Sequence, residues 1–367
     1  MLKSNVMKAV RIEATGNISV LQYGDYPMPV LRDCDVLVKV LATSVSGWDI
    51  KYRRGDLFGK DGHALPGRSN FPLPQQLGRE AAGIIVDIGK DVSHFHVGDR
   101  VMGLVRPENS FSLNAMMGLG NLSTNIDYPA HVMFGGYAQY VTRPENYWMK
   151  IPDAVSYEQV AAGAWSYPTS HRIIVHRCRV RMGDIVLITG ISGGMGNALL
   201  QLAKLSGAVV IGTTTNPNKI KDITALGADY VVTSNDIEAA YDQLQKITNG
   251  LGVNHAIELT GQPQLKTLCL NNLACGSVYC PLGESTKDDS ISINVKKHLV
   301  GLELTVVGIR GSQLTDQYLF LKMLAQQKIH VPIAQRLPLS DIQKAHELVE
   351  QRKVVGKIVL FPWDATG

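Results

Sequence analysis

No stretch of this 367-residue chain approaches the roughly 18 consecutive apolar residues that a membrane-spanning helix requires. The amino terminus, Met1 to Val10, breaks its apolar residues with Lys3 and Lys8 and lacks a signal-peptide core, so a cytoplasmic protein is expected. Cysteine is scarce. Cys34, Cys178, Cys269, Cys275 and Cys280 are odd in number, scattered, and without a Cys-x-x-Cys pair, so buried reduced thiols are the expectation. Charge is balanced as well: 36 Lys and Arg against 32 Asp and Glu leave +4, with no basic run. A nucleic-acid or anionic-membrane partner is therefore not implied, and a small molecule is. Internal repeats and low-complexity segments are missing too. With 45% hydrophobic and 19% charged residues, disorder is not indicated, and the length fits two domains.

What is present is organised around Asp184 to Lys204. Ile185 to Ile188 form an apolar run suited to a strand buried on both faces, and Leu199, Leu200, Leu202 and Ala203 recur at helical spacing. Between them lie Gly190, Ser192, Gly193, Gly194, Met195 and Gly196. A glycine-rich turn between a strand and a helix lets the backbone approach a pyrophosphate at the positive end of that helix, so dinucleotide binding is expected here. The alternative is a tight strand-to-helix turn without a ligand.

Upstream, short alternating segments punctuated by glycine and proline predict an all-β module, with strands at Lys8 to Ile12, Asp35 to Val45, Glu80 to Ile88, Asp99 to Leu104 and Tyr137 to Thr142. Loops are expected from Gly55 to Gln76, with Pro66, Pro72 and Pro74, and from Val105 to Gly136. His63, His94, His96 and His131 read as surface or loop histidines. Ser156 and Gln159 suggest a capping box, opening a helix kinked at Pro168 and running toward His176. Strands at 185–189, 208–213, 229–232, 253–258 and 275–280 then alternate with helices at 194–206, 217–226, 236–247 and 262–272. This pattern requires a parallel sheet with helices on both faces. A strand from Glu303 to Ile309, helices at Asp316 to Gln327 and Ser340 to Gln351, and a last strand from Lys357 to Phe361 follow.

Several motifs carry a resemblance. Leu77-Gly78-Arg79-Glu80-Ala81-Ala82-Gly83, Val97-Gly98-Asp99-Arg100-Val101, Gly135-Gly136-Tyr137-Ala138-Gln139-Tyr140 and Val355-Gly356-Lys357-Ile358-Val359 resemble segments of the medium-chain dehydrogenase/reductase superfamily, which is alcohol dehydrogenase-like. The resemblance covers nearly the whole chain. It implies an α/β protein with a GroES-like β-rich catalytic domain at 1–166 and 310–367, a Rossmann doubly wound parallel-sheet domain at 167–309, and an active site in the cleft.

The resemblance also implies what has been replaced. Positions that hold a catalytic zinc in metal-dependent members appear as Ser46, Arg79 and Trp165, and a guanidinium repels a cation, so no zinc is expected. The four cysteines of a structural zinc lobe between residues 103 and 135 are missing, and Asn121-Leu122-Ser123 looks like Asn-Leu-Cys with its cysteine replaced. Trp48 stands where zinc members relay the alcohol proton. Ser46 to Gly55 resembles a segment of the zinc-free quinone oxidoreductases and enoyl reductases.

Beyond the glycines, Thr213, Thr214, Thr215 and Lys219 follow the second strand without an acid before Asp222, which suits the 2′-phosphate of NADPH better than NADH. By resemblance, Thr169, Thr260, Leu282, Gly283, Ile309 and Arg310 line the rest of the cofactor site. Arg79 is expected either to hydrogen-bond a substrate carbonyl as an oxyanion hole does, or to form an internal salt bridge with Glu80 or Asp49. Tyr52 is a candidate proton donor, and Trp48 with Trp165 would make an apolar pocket. The leading expectation is a zinc-independent NADPH-dependent reductase of an activated alkene, enone, quinone or enoyl substrate. A metal-free carbonyl or imine reductase or alcohol dehydrogenase-like enzyme using Arg79, and a non-catalytic NADPH sensor or scaffold, are the alternatives. A homodimer or homotetramer, paired through the strand at Val306 and Val307, is implied by resemblance alone.

Overall fold

The chain, described at residues 5–56, 71–283 and 290–363 in this computed structural model, divides into two compact units, Met1–Pro168 with Ser312–Gly367, and Thr169–Gly311. The first unit begins with strands β1 (Val6–Arg11), β2 (Gln22–Pro27), β3 (Asp35–Ser44), β4 (Ala81–Ile88), β5 (Arg100–Gly103), β6 (Tyr140–Pro144) and β7 (Trp148–Lys150). The second contributes β8 (Ile185–Ile188), β9 (Val209–Thr214), β10 (Tyr230–Thr233), β11 (Val253–Glu258), β12 (Leu273–Pro281) and β13 (Thr305–Val306). The chain then returns to the first unit with β14 (Ile333–Pro338) and β15 (Lys357–Phe361).

In the first unit β3 is paired with β4, β6 and β15, all antiparallel, which is why eight of its ten residues are buried. The sheet runs β14-β15-β3-β4-β5-β7 with β6 on β3, and β1 pairs with β2 as a separate ribbon. Val36, Val38, Val40, Ile85 and Val101 make one apolar cluster; Val10, Tyr52, Tyr137, Ile342 and Leu360 belong to a second. The second unit carries a parallel sheet in the order β10-β9-β8-β11-β12-β13. Counted along that unit, the order is 3-2-1-4-5-6, so the chain reverses direction across the sheet between β8 and β11. Ligands of such sheets bind beyond the strand ends at that reversal.

The expected strands of the β-rich part are present, with ends displaced by no more than three residues. Among the described elements that went unread are β2, β7, β14 and the helices Gly47–Arg54 and Val295–Val300, besides short helical turns. Three readings require correction. The strand expected from Glu303 to Ile309 is only Thr305–Val306, because Glu303 has a φ of 51°, outside the extended region, and the ladder stops after Val306. The kink expected at Pro168 falls earlier, between helices Tyr157–Gly163 and Ser166–His171. Proline lacks the amide hydrogen for, and clashes with, the carbonyl four residues back, so the break lands at Ala164 and Trp165. Ser156 does cap its helix, accepting from Gln159 N, but the Gln159 side chain does not reach back. It pairs at both ends with the Val331 backbone, at 2.7 and 2.9 Å.

Of the loop expected from Gly55 to Gln76, residues 57–70, including His63 and Pro66, lie outside the described residues. The Val105 to Gly136 segment has short helical turns at Leu113–Met116 and Gly120–Leu122. Buried Arg106 organises it, donating to Asn121 O at 2.7 Å and Tyr128 Oη at 3.2 Å while lying 4.8 Å from the Tyr128 ring centroid. The cysteines are all free, but only Cys178, Cys269 and Cys280 are buried; Cys34 and Cys275 are exposed. Burial pushes the Cys269 thiol well up, and contact with Cys280 together with burial does the same for Cys178, so these thiols are unreactive. Among the described residues, no helix is long and apolar enough to cross a membrane.

Candidate functional site

In the first unit the site is built on the unread helix Gly47–Arg54. Ser46 is its N-cap: Ser46 Oγ accepts from Asp49 N, and Asp49 Oδ2 accepts from Ser46 N at 3.0 Å and Ser46 Oγ at 2.6 Å. Gly55, at φ 79°, closes the other end. Trp48 and Tyr52, one turn apart on one face, have ring centroids 6.0 Å apart. Asp49 then ties a second segment to the helix, since its Oδ1 accepts from the backbone N–H groups of Gly78 at 2.9 Å and Arg79 at 3.3 Å.

That tie sets Arg79 among aromatic rings. Its guanidinium is fully buried, with its central carbon 4.7 Å from the Trp165 ring, 5.6 Å from Tyr52 and 5.9 Å from Trp48. Its Nη1 lies 3.5 Å from Tyr52 Oη. The structure thus brings Ser46, Trp48, Tyr52, Arg79 and Trp165 together. It also corrects the expected salt bridge: the ion pair that Glu80 makes is with Lys357, and Asp49 is engaged with backbone amides and the Ser46 hydroxyl. Cation–π contacts of this kind contribute about 0.5–2 kcal/mol each, more when desolvated.

His131, expected on the surface or in a loop, lies in a turn but is only 1% exposed, with its ring 5.1 Å from Tyr52 and 6.0 Å from Phe71. Nothing in its local spacing marks it; only folding places it there. His94 and His96 are on the surface as expected. Behind the site, Tyr137 Oη and His346 Nε2 lie 3.2 Å apart, both fully buried. Burial, reinforced by Arg53, holds the His346 pKa down at about 3, so its ring is neutral. Arg143 is buried beside Trp148, and burial lowers its pKa to about 10.

The second unit places Gly190, Thr213, Thr214, Thr260, Leu282 and Gly283 at or just beyond the carboxyl ends of β8, β9, β11 and β12. Gly190, at φ 64°, leaves β8, and a Cβ there would lie 3.1 Å from Thr260 Cγ2. Gly193 is the N-cap of the helix Gly194–Leu205, and Asn197 Nδ2 holds the loop through Ser192 O and Gly193 O. The helix therefore begins with backbone N–H groups that no capping side chain satisfies. Met195 Sδ accepts from Ser170 Oγ at 3.1 Å, which places Thr169, next in the chain, near the same turn. Thr213 and Thr214 end β9, the neighbour of β8, and the Thr213 hydroxyl is buried without a partner. Thr215 is exposed and Lys219 is buried in the turn that follows.

Glu258, at the end of β11, gathers Thr189 Oγ1, Thr260 N and Gly261 N on its carboxylate, and its carbonyl accepts from Leu282 N and Gly283 N. Ile309 and Arg310 lie beyond β13 rather than on a strand end. A Cβ at Gly193 would meet nothing closer than Gly190 O at 3.7 Å, and the uncapped amides are donors of the sort a pyrophosphate accepts from. Gly196 has a steric role: a Cβ would fall 2.6 Å from the Ile191 backbone. Gly196→Val is expected to destabilise the chain by about 1–3 kcal/mol and to weaken dinucleotide binding at least tenfold. Denaturant unfolding and a fluorescence titration with NADPH check both; unchanged binding would separate the glycines from the ligand.

The family profile described as Alcohol dehydrogenase GroES-like domain matches residues 32–153, and that of Zinc-binding dehydrogenase matches 194–326. The quinone oxidoreductase of Rattus norvegicus is 28% identical over 365 residues, covering 97% of this chain and 98% of its own. The NAD-dependent alcohol dehydrogenase of Sulfolobus acidocaldarius is 27% identical, covering 96% and 99%. Among solved structures, AibC superposes with a TM-score of 0.86 at 28% identity, covering 99% of this chain and 97% of that one. Fold and relatives define an oxidoreductase enzyme with a GroES-like part and a Rossmann part, from a family that binds nicotinamide cofactors. The chain belongs to the medium-chain dehydrogenase/reductase superfamily.

Proposed function

We propose that the chain is a zinc-independent, NADPH-dependent oxidoreductase that reduces an activated double bond, in an enone, quinone or enoyl substrate, by hydride transfer. The observation that carries this reading is the burial of Arg79 among Trp48, Tyr52 and Trp165, at the position where the resemblance implies a metal ligand. A guanidinium stays protonated and cannot ligate zinc, but it presents donors to a carbonyl oxygen. When bound, NADPH supplies the hydride. With hydride added at the far carbon of the conjugated system, the carbon–carbon π pair would become the double bond of an enolate and the carbonyl π pair would move onto oxygen, where Arg79 would stabilise the charge. Tyr52, beside Arg79, is the proposed source of the proton that completes the saturated product. Trp48 and Trp165 exclude water and favour a planar apolar substrate. The quinone oxidoreductases among the relatives support this substrate class.

Preference for NADPH is supported by the absence of an acid between Thr213 and Lys219 at the end of β9. A metal-free carbonyl or imine reductase using the same Arg79 is the second reading, favoured by the alcohol dehydrogenases among the relatives. The edge strand β13, with Val306 41% exposed, is the surface proposed for a homodimer. The test is NADPH oxidation with a panel of enones, quinones, enoyl thioesters, ketones and cyclic imines, on protein whose metal content is measured. Turnover of the conjugated substrates with substoichiometric zinc, unaffected by chelator, is expected. Stoichiometric zinc, or tight NADPH binding without turnover, would overturn the reading.

A further inference from the structure

We infer that Glu80 is a positioning residue: with Lys357 and Ser44 holding its carboxylate, it fixes the backbone of Trp165 so that the indole covers Arg79. The inference rests on the reading of Arg79 given above. Glu80 is fully buried and accepts three hydrogen bonds from three parts of the chain. Its Oε1 accepts from Trp165 N at 2.8 Å; its Oε2 accepts from Ser44 Oγ at 2.7 Å and from Lys357 Nζ. The strands supply the reason these groups meet. Lys357 opens β15, Ser44 ends β3, and Glu80 immediately precedes β4, and the three strands are neighbours in one sheet.

The Trp165 end is equally specific. Trp165 lies in the break between helices Tyr157–Gly163 and Ser166–His171, and its N–H goes to the carboxylate of Glu80, 85 residues away in the chain. A helical N–H would be satisfied by the carbonyl four residues back; here the satisfaction is tertiary. The indole so placed lies 4.7 Å from the Arg79 guanidinium carbon and 6.0 Å from the Trp48 ring, tilted by 52°. Three of the carboxylate's roughly four acceptor sites are therefore occupied by structural donors. Its effect on the reaction passes through Trp165, not through a proton of its own.

Two indoles 6.0 Å apart and tilted by 52° couple as excitons, which yields a circular-dichroism couplet that reports the placement of Trp165 without substrate or cofactor. Trp165→Phe defines the spectrum without it. The double variant Glu80→Ala with Lys357→Met removes the carboxylate and its cation together, leaving no charge unpaired. It is expected to lose the couplet and to lower kcat at least tenfold while KM for NADPH stays within about twofold. Glu80→Gln with Lys357→Met keeps an oxygen acceptor for Trp165 N and is expected to recover the couplet and most of kcat. Adding Trp165→Phe to the alanine variant is expected to change kcat little further, because the two changes act through one contact. A couplet of native amplitude in the alanine variant, or equal loss of kcat in the alanine and glutamine variants, would overturn the proposal. Failure of the reductase reading is recognisable separately, as wild-type protein with an intact couplet and no turnover.

Discussion

Arg79→Met is expected to lower kcat/KM for an enone or quinone by about 100- to 1000-fold, the loss seen when one oxyanion donor is removed, while NADPH affinity changes little. Methionine has similar length and no charge, so it refills the space between Trp48, Tyr52 and Trp165. The change therefore separates two roles. If Arg79 only fills its cavity, the methionine variant should keep its turnover. If Arg79 stabilises developing charge on oxygen, turnover falls in protein that the melts show to be folded. Arg79→Lys should recover only part of the loss, because an ammonium presents a point charge where the guanidinium presents a planar array of donors. Steady-state kinetics alongside denaturant melts decide this, and a methionine variant within threefold of native kcat/KM would remove Arg79 from the mechanism.

A second large effect is expected in acid. His346 is fully buried and its pKa is held at about 3, by burial first and by Arg53 second, against 6.5 for an ordinary histidine. Below 6.5 the unfolded chain takes up a proton that the folded chain refuses. The stability associated with the neutral ring is therefore complete above pH 6.5 and lost as pH falls toward 3. Each pH unit in that window removes about 1.4 kcal/mol, or about 5 kcal/mol over the whole range. His346→Gln retains a polar group for Tyr137 Oη, 3.2 Å away in the native chain, and removes the titration. Its stability should decline less steeply between pH 6.5 and 4 by that slope, measured by denaturant melts at a series of pH values. Parallel curves for the two proteins would contradict the assignment.

The helix Gly47–Arg54 illustrates why part of the site was hard to read. Its cap signals, Ser46 with Asp49 and Gly55 beyond the end, are in the sequence, yet its apolar residues are few and its inward face carries Asp49 and Arg53. Those polar residues are buried because other segments satisfy them: Gly78 and Arg79 amides on Asp49, and the Glu350 carboxylate on Arg53 at 2.6 and 3.2 Å. A hydrophobic period cannot reveal a face completed by partners 29 and 297 residues away. His131 escaped for the same reason, since its partners Tyr52 and Phe71 are remote in sequence.

What the sequence determined by itself is local and repetitive. The parallel sheet, its alternating helices and the Gly190 to Gly196 turn follow from short apolar runs, helical spacing and glycines, each a matter of a few adjacent residues. The residues around Arg79 were also nameable from their motifs. Their arrangement was not. Whether Glu80 would pair with its neighbour Arg79 or with the remote Lys357 depended on which cation lies beside the buried carboxylate in space. Buried polar groups must be satisfied, but which partner satisfies them is decided only when β15, β3 and β4 lie side by side.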